Sequence, residues 1–422
     1  MKKIIYSLLC AIAFCGCSKD DDEVAFTLSA TELTFGVEGG EQVVNVVTDG
    51  NYDCAYSEDW ILVRQQKDKI RVIVDENETE AERTAFISMS CNGEPRQQIK
   101  VTQTGIQFSL VASSFDVPAK ENELMIPISS NTKISFNCED EWLEASSVVE
   151  GLKVMVSRNY KMSGRSGRIV LHVGDSDKEV SINQEASAWY ESFEMIEVEG
   201  GTFFMGAQKT DANGHNYDAN AYAIESPVHQ VTVGGFSIGK FEVTQEQWKA
   251  AMGSNPSAIV GAQNPVENVT WEEVQAFIAA LNQASGLKYR LPTEAEWEFA
   301  AKGGNKSNGY LYSGYSVIGV CAWYYSNSNS TTHEVGTKDA NELGIFDMTG
   351  NVREWCGDWF EYYTSTSAEN PQGPYSGNMK INRGGSWTTP YVNCRNSYRH
   401  TDYPNEAAQD LGFRIVFVKG QI

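Results

Sequence analysis

Few residues in this 422-residue chain stand where side-chain chemistry would need them. Asp347 and Glu354 bracket a turn at Gly350, so two hard carboxylates and nearby carbonyls could converge on one centre. Calcium takes about six to eight oxygen ligands and suits such a mix; the plain alternative is a turn with solvated carboxylates. Gly384-Gly385 removes two β-carbons and lets backbone approach a neighbour closely, after which Ser386 and Trp387 offer a hydroxyl and a flat face. Those four residues read equally as a ligand contact or as a buried turn closing the fold. The histidines, His172, His215, His229, His333 and His400, are scattered without ligand spacing. No Gly-x-Ser-x-Gly, P-loop or dinucleotide fingerprint is present.

The cysteines divide by position. Lys2 and Lys3 followed by the apolar stretch Ile4 to Phe14 have the layout of a secretory signal, too short to span a membrane as a mature helix. Phe14-Cys15-Gly16-Cys17 resembles a bacterial lipobox with Cys17 as the lipidated residue, although Phe14 and Cys15 depart from the usual pattern. An ordinary cleaved signal is the alternative. The acidic run Ser18 to Glu23 resembles the surface-export tag of Bacteroidetes lipoproteins, or is simply a solvated tether. The expectation is residues 1–16 as signal, 17–23 as tether, and a lipid-anchored protein of the outer membrane, exposed at the cell surface. Without residues 1–16 the charge is 31 − 56 = −25, from 33 basic and 56 acidic residues in the whole chain. Such a charge disfavours nucleic acid as a partner and leaves lipid as the only membrane attachment. Cys54, Cys91, Cys138, Cys321, Cys356 and Cys394 remain, with no C-x-x-C pair for a zinc ribbon or a thioredoxin-type motif.

The length predicts two to four domains. Residues 24–187 alternate with the period of β-strands and repeat themselves: Asp59-Trp60-Ile61 answers Glu141-Trp142-Leu143, and Val101-Thr102-Gln103 answers Ile182-Asn183-Gln184. Both halves, 24–105 and 106–187, resemble the BACON domain, an immunoglobulin-like module. A carbohydrate-binding role has been proposed for that module, though many copies look like spacers. Trp60 and Trp142 could stack on sugars, but each precedes an apolar residue at a strand start, which favours a core position. Farther on, capping boxes at Thr244/Gln247, Thr270/Glu273 and Thr293/Glu296 predict three helices among short strands and long loops, the longest from Gly357 to Lys380.

Several motifs follow in one order, among them Glu242-Val-Thr-Gln245, Tyr289-Arg-Leu-Pro-Thr-Glu-Ala-Glu-Trp297, Asp347-Met-Thr-Gly-Asn-Val-Arg-Glu-Trp355, Arg383-Gly-Gly-Ser-Trp387 and Leu411-Gly-Phe-Arg414. Together they resemble the formylglycine-generating enzyme, or sulfatase-modifying factor, family over residues 193–418. The resemblance implies a mixed α/β domain related to C-type lectins, behind two all-β immunoglobulin-like sandwiches. It also implies structural calcium at Asp347, Gly350, Val352 and Glu354, with Asn327 at a second site; the family has Asn where Asp347 stands. It places Ser386, Trp387, Arg395 and Arg399 at the ligand, and implies that Cys356 and Cys394 lie close together, either packed or bridged. Copper is not expected: oxidising members carry two cysteines soon after Gly-Gly-Ser, whereas here Thr388-Thr389-Pro390-Tyr391 follow and Cys394 is out of register. The chain is thus expected to bind glycan or peptide without oxidising it, through aromatics such as Trp323, Tyr324, Tyr325, Trp355, Trp359, Tyr391, Tyr398 and Tyr403. The alternatives are an active oxidase acting on a sulfatase cysteine and a structural or assembly lipoprotein of the envelope.

Overall fold

A period of two residues builds the N-terminal repeats. In Gly40–Thr48 and Lys69–Val74 the residues Val44, Val46, Ile70, Val72 and Val74 point to one face and are buried, while their neighbours look outward. The computed structural model describes residues 25–417, so the leader, Cys17 and the acidic tether lie outside the described residues. The first repeat has two four-stranded sheets. One runs Phe26–Leu28, Gly40–Thr48, Lys69–Val74, Ile61–Gln65; the other runs Glu32–Phe35, Glu94–Gln103, Arg83–Cys91, Tyr52–Ala55. Only Glu32–Phe35 pairs parallel, in register Phe35 to Gln103. The second repeat has the same order in both sheets: Phe108–Leu110, Asn122–Ser130, Gly151–Val156, Leu143–Val148, and Ser114–Val117, Ser176–Gln184, Arg165–Val173, Ser135–Cys138. The repeated sequence is therefore a repeated topology.

Trp60 packs half-buried on the first core beneath the Arg83 guanidinium, 4.5 Å from the ring centroid. Trp142 packs on the second, where a β-carbon added at Gly167 would come within 2.6 Å of its ring. Val37 and Ile106 are buried in the second core, so the junction is packed into the β unit.

Residues from Gln184 onward form a separate compact unit, together with 118–120 and 158–165. Its three longest helices are α1 (Gln245–Met252), α2 (Trp271–Ser285) and α3 (Glu294–Ala301). Each opens on the expected box, in which the threonine accepts the N–H three residues on and the Gln or Glu reaches back. Gly253 and Gly286 close α1 and α2 in the left-handed conformation. Helix α2 buries Val274, Phe277, Ile278 and Leu281, and Phe277 stacks on Trp248 of α1 at 5.3 Å. Burying a side chain such as Phe277 stabilises by about 1.5–3 kcal/mol. A four-stranded sheet, His400–Asp402, Lys380–Arg383, Arg353–Trp359, Leu411–Gly412, sets Glu354 opposite Arg383 on one side and Gly412 on the other. The chain is thus multidomain and mostly β, and among the described residues its short helices lie in the C-terminal unit.

Candidate functional site

Sheet and helices together carry a lattice of buried charge. Arg383 bridges Glu294 and Glu298 of α3, each at 2.6 Å, and Arg399 holds the other side of Glu294. Burial alone would raise the Glu298 carboxyl, but Lys302 and Arg383 outweigh it and hold it at about 2. Arg395 takes Glu225 through both terminal nitrogens and pairs with Asp218.

Arg395 and Arg399, expected at the ligand, are framework residues instead. Arg395 is 1% exposed, and its Nε donates to the Val392 carbonyl. Arg399 donates to Glu294 and to the carbonyls of Ile224 and Glu361. A buried guanidinium must be paired, and these pairs commit both arginines to the framework.

The Gly-Gly-Ser-Trp segment forms a closing turn. Gly384 and Gly385 have φ of 96° and 71°, and a β-carbon at Gly385 would lie 2.6 Å from the Cys394 sulfur. Ser386 is buried and donates to Asp410 Oδ2 at 2.7 Å, whereas half-buried Trp387 keeps part of its ring accessible while its N–H reaches the Gln409 carbonyl. Of the four expected ligand residues, only Trp387 presents a surface.

Cys356 and Cys394 are free thiols in separate apolar clusters, which corrects the expected pairing. The strand Arg353–Trp359 carries Cys356 into the core beside Trp297 and Ile381, while Cys394 joins Cys321, Tyr312 and Ile318. Burial pushes the Cys321 and Cys394 thiols each up to about 12.

Around Asp347 the structure assembles three carboxylates and one guanidinium. Glu354 is filled: Arg414 takes both oxygens at 2.5 and 2.6 Å, and Trp297 Nε1 donates at 2.8 Å. Glu242 accepts from the Val352 N–H and from Asn351 Nδ2. Asp347 Oδ2 accepts from the Gly336 N–H, but its Oδ1 is buried without a partner. Burial pushes the Asp347 carboxyl up to about 6; burial, Asp347 and Glu354 raise Glu242 well above its usual range. The sequence motif contained Glu242 but gave no sign of its place here. Asn327 closes its own turn, accepting from the Tyr324 N–H and donating to the Ala322 carbonyl, so its side chain is not free for a second metal. Among the described residues no set of three or more His, Cys, Asp or Glu side chains converges as metal ligands.

The aromatic set divides. Trp355 is core, and Trp359 shares the Lys380 ammonium with Trp271. Tyr325 and Tyr391 are 69% and 55% exposed, and the Tyr325 N–H donates to the Thr389 carbonyl, which ties the 324–328 loop to the turn after Ser386. Beneath the Gly357–Lys380 segment lies a cavity of about 300 Å³ in which Asp358 is pushed up to about 7, by burial first and Glu294 second.

Comparison with known proteins accounts for this arrangement. The sulfatase-modifying factor enzyme 1-like domain matches residues 182–419, and two BACON-type domains match residues 25–106 and 132–185. Chaperone protein LppX of Paenibacillus barcinonensis is 33% identical over 275 residues, covering 53% of this chain and 89% of that protein. The formylglycine-generating enzyme of Streptomyces coelicolor is 30% identical over 235 residues, covering 48% of this chain and 71% of the enzyme. Serine/threonine-protein kinase pkn1 of Chlamydia caviae is 31% identical over 251 residues, 52% of this chain but 37% of the kinase. Since the first of these matches spans more than half of the chain and carries the buried lattice, the protein belongs to the sulfatase-modifying factor enzyme 1-like family, with two BACON domains ahead of the family domain.

Proposed function

We propose that the C-terminal domain binds a glycan or peptide without oxidising it, at the face formed by Trp387, Tyr391 and Tyr325. Two immunoglobulin-like sandwiches serve as its spacer, and lipid on Cys17 anchors it at the outer membrane. The carrying observation is the chemistry of the turn after Gly384-Gly385-Ser386. Thr388, Thr389, Pro390 and Tyr391 bring no sulfur there, and the nearby Cys394 thiol is buried and pushed up to about 12. Copper(I) needs thiolates, and a thiol held neutral in an apolar cluster is a poor donor. Titration with Cu(I), with oxygen consumption followed on a cysteine peptide of sulfatase type, should show neither metal uptake by Cys394 nor formylglycine. Formylglycine in the product would restore the oxidase reading. Replacing Cys17 by Ala should remove fatty-acid labelling and release the protein from membranes.

Calcium belongs to this reading as a stabiliser. Three buried carboxylates facing one guanidinium leave an acid excess, and the unpartnered Asp347 Oδ1 is the oxygen best suited to a cation. Asp347 and the carbonyls of Gly350 and Val352 would hold it. Glu354 fits less well, because Arg414 and Trp297 fill its oxygens.

A second reading, an assembly factor of the envelope, draws on the relative named as a chaperone, of which this chain covers 89%. Glycan binding in solution would favour the first reading, and retention of a partner protein without any glycan would favour the second.

A further inference from the structure

A cavity of about 350 Å³ opens in the C-terminal unit among Phe204, Tyr217, Lys302, Tyr310, Leu311 and Asn396. Its size is at the lower end of ligand pockets, which run from about 300 to 1,000 Å³. We propose that it takes one unit of a neutral saccharide. The inference rests on the reading of this domain as a binder, but not on the face formed by Trp387, Tyr391 and Tyr325.

The polar end carries the argument. Asn396 is 2% exposed and held from three sides: its N–H donates to the Leu311 carbonyl at 3.0 Å, its Nδ2 to the Tyr310 carbonyl at 3.2 Å, and its own carbonyl accepts from Arg383 at 2.6 Å. The Tyr310 carbonyl fixes which end of the amide is nitrogen, because only N–H can donate to it. What remains is Asn396 Oδ1, a buried acceptor without a hydrogen-bond partner. Buried polar atoms are paired in the great majority of folded structures, so this one awaits a donor. Lys302 supplies the complement. Its ammonium donates to the Phe204 carbonyl at 2.9 Å and to Glu298 at 2.6 Å, and an ammonium has a third N–H to give.

Polar Asn216, Ser307 and Ser397 also line the wall, beside its apolar and aromatic side chains. Phe204 is fixed by stacking on His215 at 3.6 Å, and Tyr217, Tyr310 and Leu311 stand exposed at the rim. A ligand must therefore donate to Asn396, accept from Lys302 and lay a C–H face on the tyrosines. Charge narrows the class further. The lysine and Arg395 in the lining oppose a cation, while the unpaired Asn396 oxygen and the nearby Asp218 carboxylate oppose an anion. Hydroxyls on a compact ring meet every condition.

The test uses the full chain, with cellohexaose, xylohexaose and mannohexaose as probes and an uncharged hexapeptide as comparator, followed by calorimetry. At least one saccharide should bind, and Tyr217→Ala and Tyr310→Ala, both at exposed side chains, should each weaken it by about tenfold. Tyr375→Ala, at an exposed side chain outside both the cavity and that aromatic face, should leave the affinity unchanged. Loss in Tyr391→Ala with full affinity in both cavity variants overturns the cavity assignment and leaves the binding reading standing. Binding of the hexapeptide with refusal of all three saccharides overturns the ligand class, and refusal of all four probes overturns the inference altogether.

Discussion

The β repeats and the C-terminal domain bury polar groups in opposite ways. In the first repeat Gln103, at the end of its strand, donates to the carbonyls of Gly36, Val37 and Asp75 and accepts from Arg83 Nε. Gln184 does the same in the second, with Pro118 and Ala119 as acceptors and Arg165 as donor. Neutral amides satisfy loop carbonyls there, around cores built from apolar and aromatic side chains. The C-terminal domain instead buries Arg383, Arg395, Arg399 and Arg414 against glutamates. Such pairs add little net stability relative to apolar packing, but breaking one is costly because its partner is left charged in the interior.

Removing one member of the lattice is the strongest way to break this contrast. Arg383→Ala should destabilise the C-terminal domain by about 3–5 kcal/mol while the unfolding of the β repeats stays unchanged, as read by calorimetry with two resolved transitions. Equal losses in both transitions would remove the distinction. Acid should act on the same lattice. Glu298 is held at about 2 against an ordinary 4.5, so its contribution is complete above pH 4.5 and is lost as pH falls toward 2. The C-terminal transition should therefore fail first on acidification.

Calcium should separate the two regions by a smaller amount. At a hundredfold excess over its dissociation constant a ligand adds about 2.7 kcal/mol, and that gain should fall on the C-terminal transition alone. Asp347→Ala should erase it without breaking the Glu354–Arg414 pair. A C-terminal unit that melts identically in calcium and in chelator has no such site.

Within the repeats the expected effect is smallest. Gln103→Ala removes one of two donors from each of three carbonyls and takes the acceptor from Arg83 Nε, and should cost about 1–3 kcal/mol, visible as a lower denaturant midpoint of the β unit. A cost comparable to that of Arg383→Ala would mean that amide clamps and ion pairs are equally demanding.

Legibility in the sequence followed the same division. Strand alternation, the internal repeat, the capping boxes at Thr244, Thr270 and Thr293 and the buried face of α2 were all readable, because each depends on neighbours a few residues apart. Ser386, Arg395 and Arg399 were read toward a ligand and turn inward, since the sequence gives no sign of the Glu225 and Glu294 that take the two arginines. Cys356 and Cys394 show the same limit: 38 positions apart, they enter different clusters, and Cys321 is the thiol beside Cys394.

By itself the sequence determined the order of domains, the β character of the repeats, the three helices and the family, because period, turn chemistry and motif order are local properties of the chain. The tertiary structure alone decided which charges neutralise one another, that Glu242 stands beside Asp347 and Glu354, and that Asn396 is left with an unpaired oxygen. Each of those outcomes depends on residues tens to more than a hundred positions apart arriving at one place. There the cost of burying a charge or a polar atom is fixed by its neighbours in space, not by its neighbours along the chain.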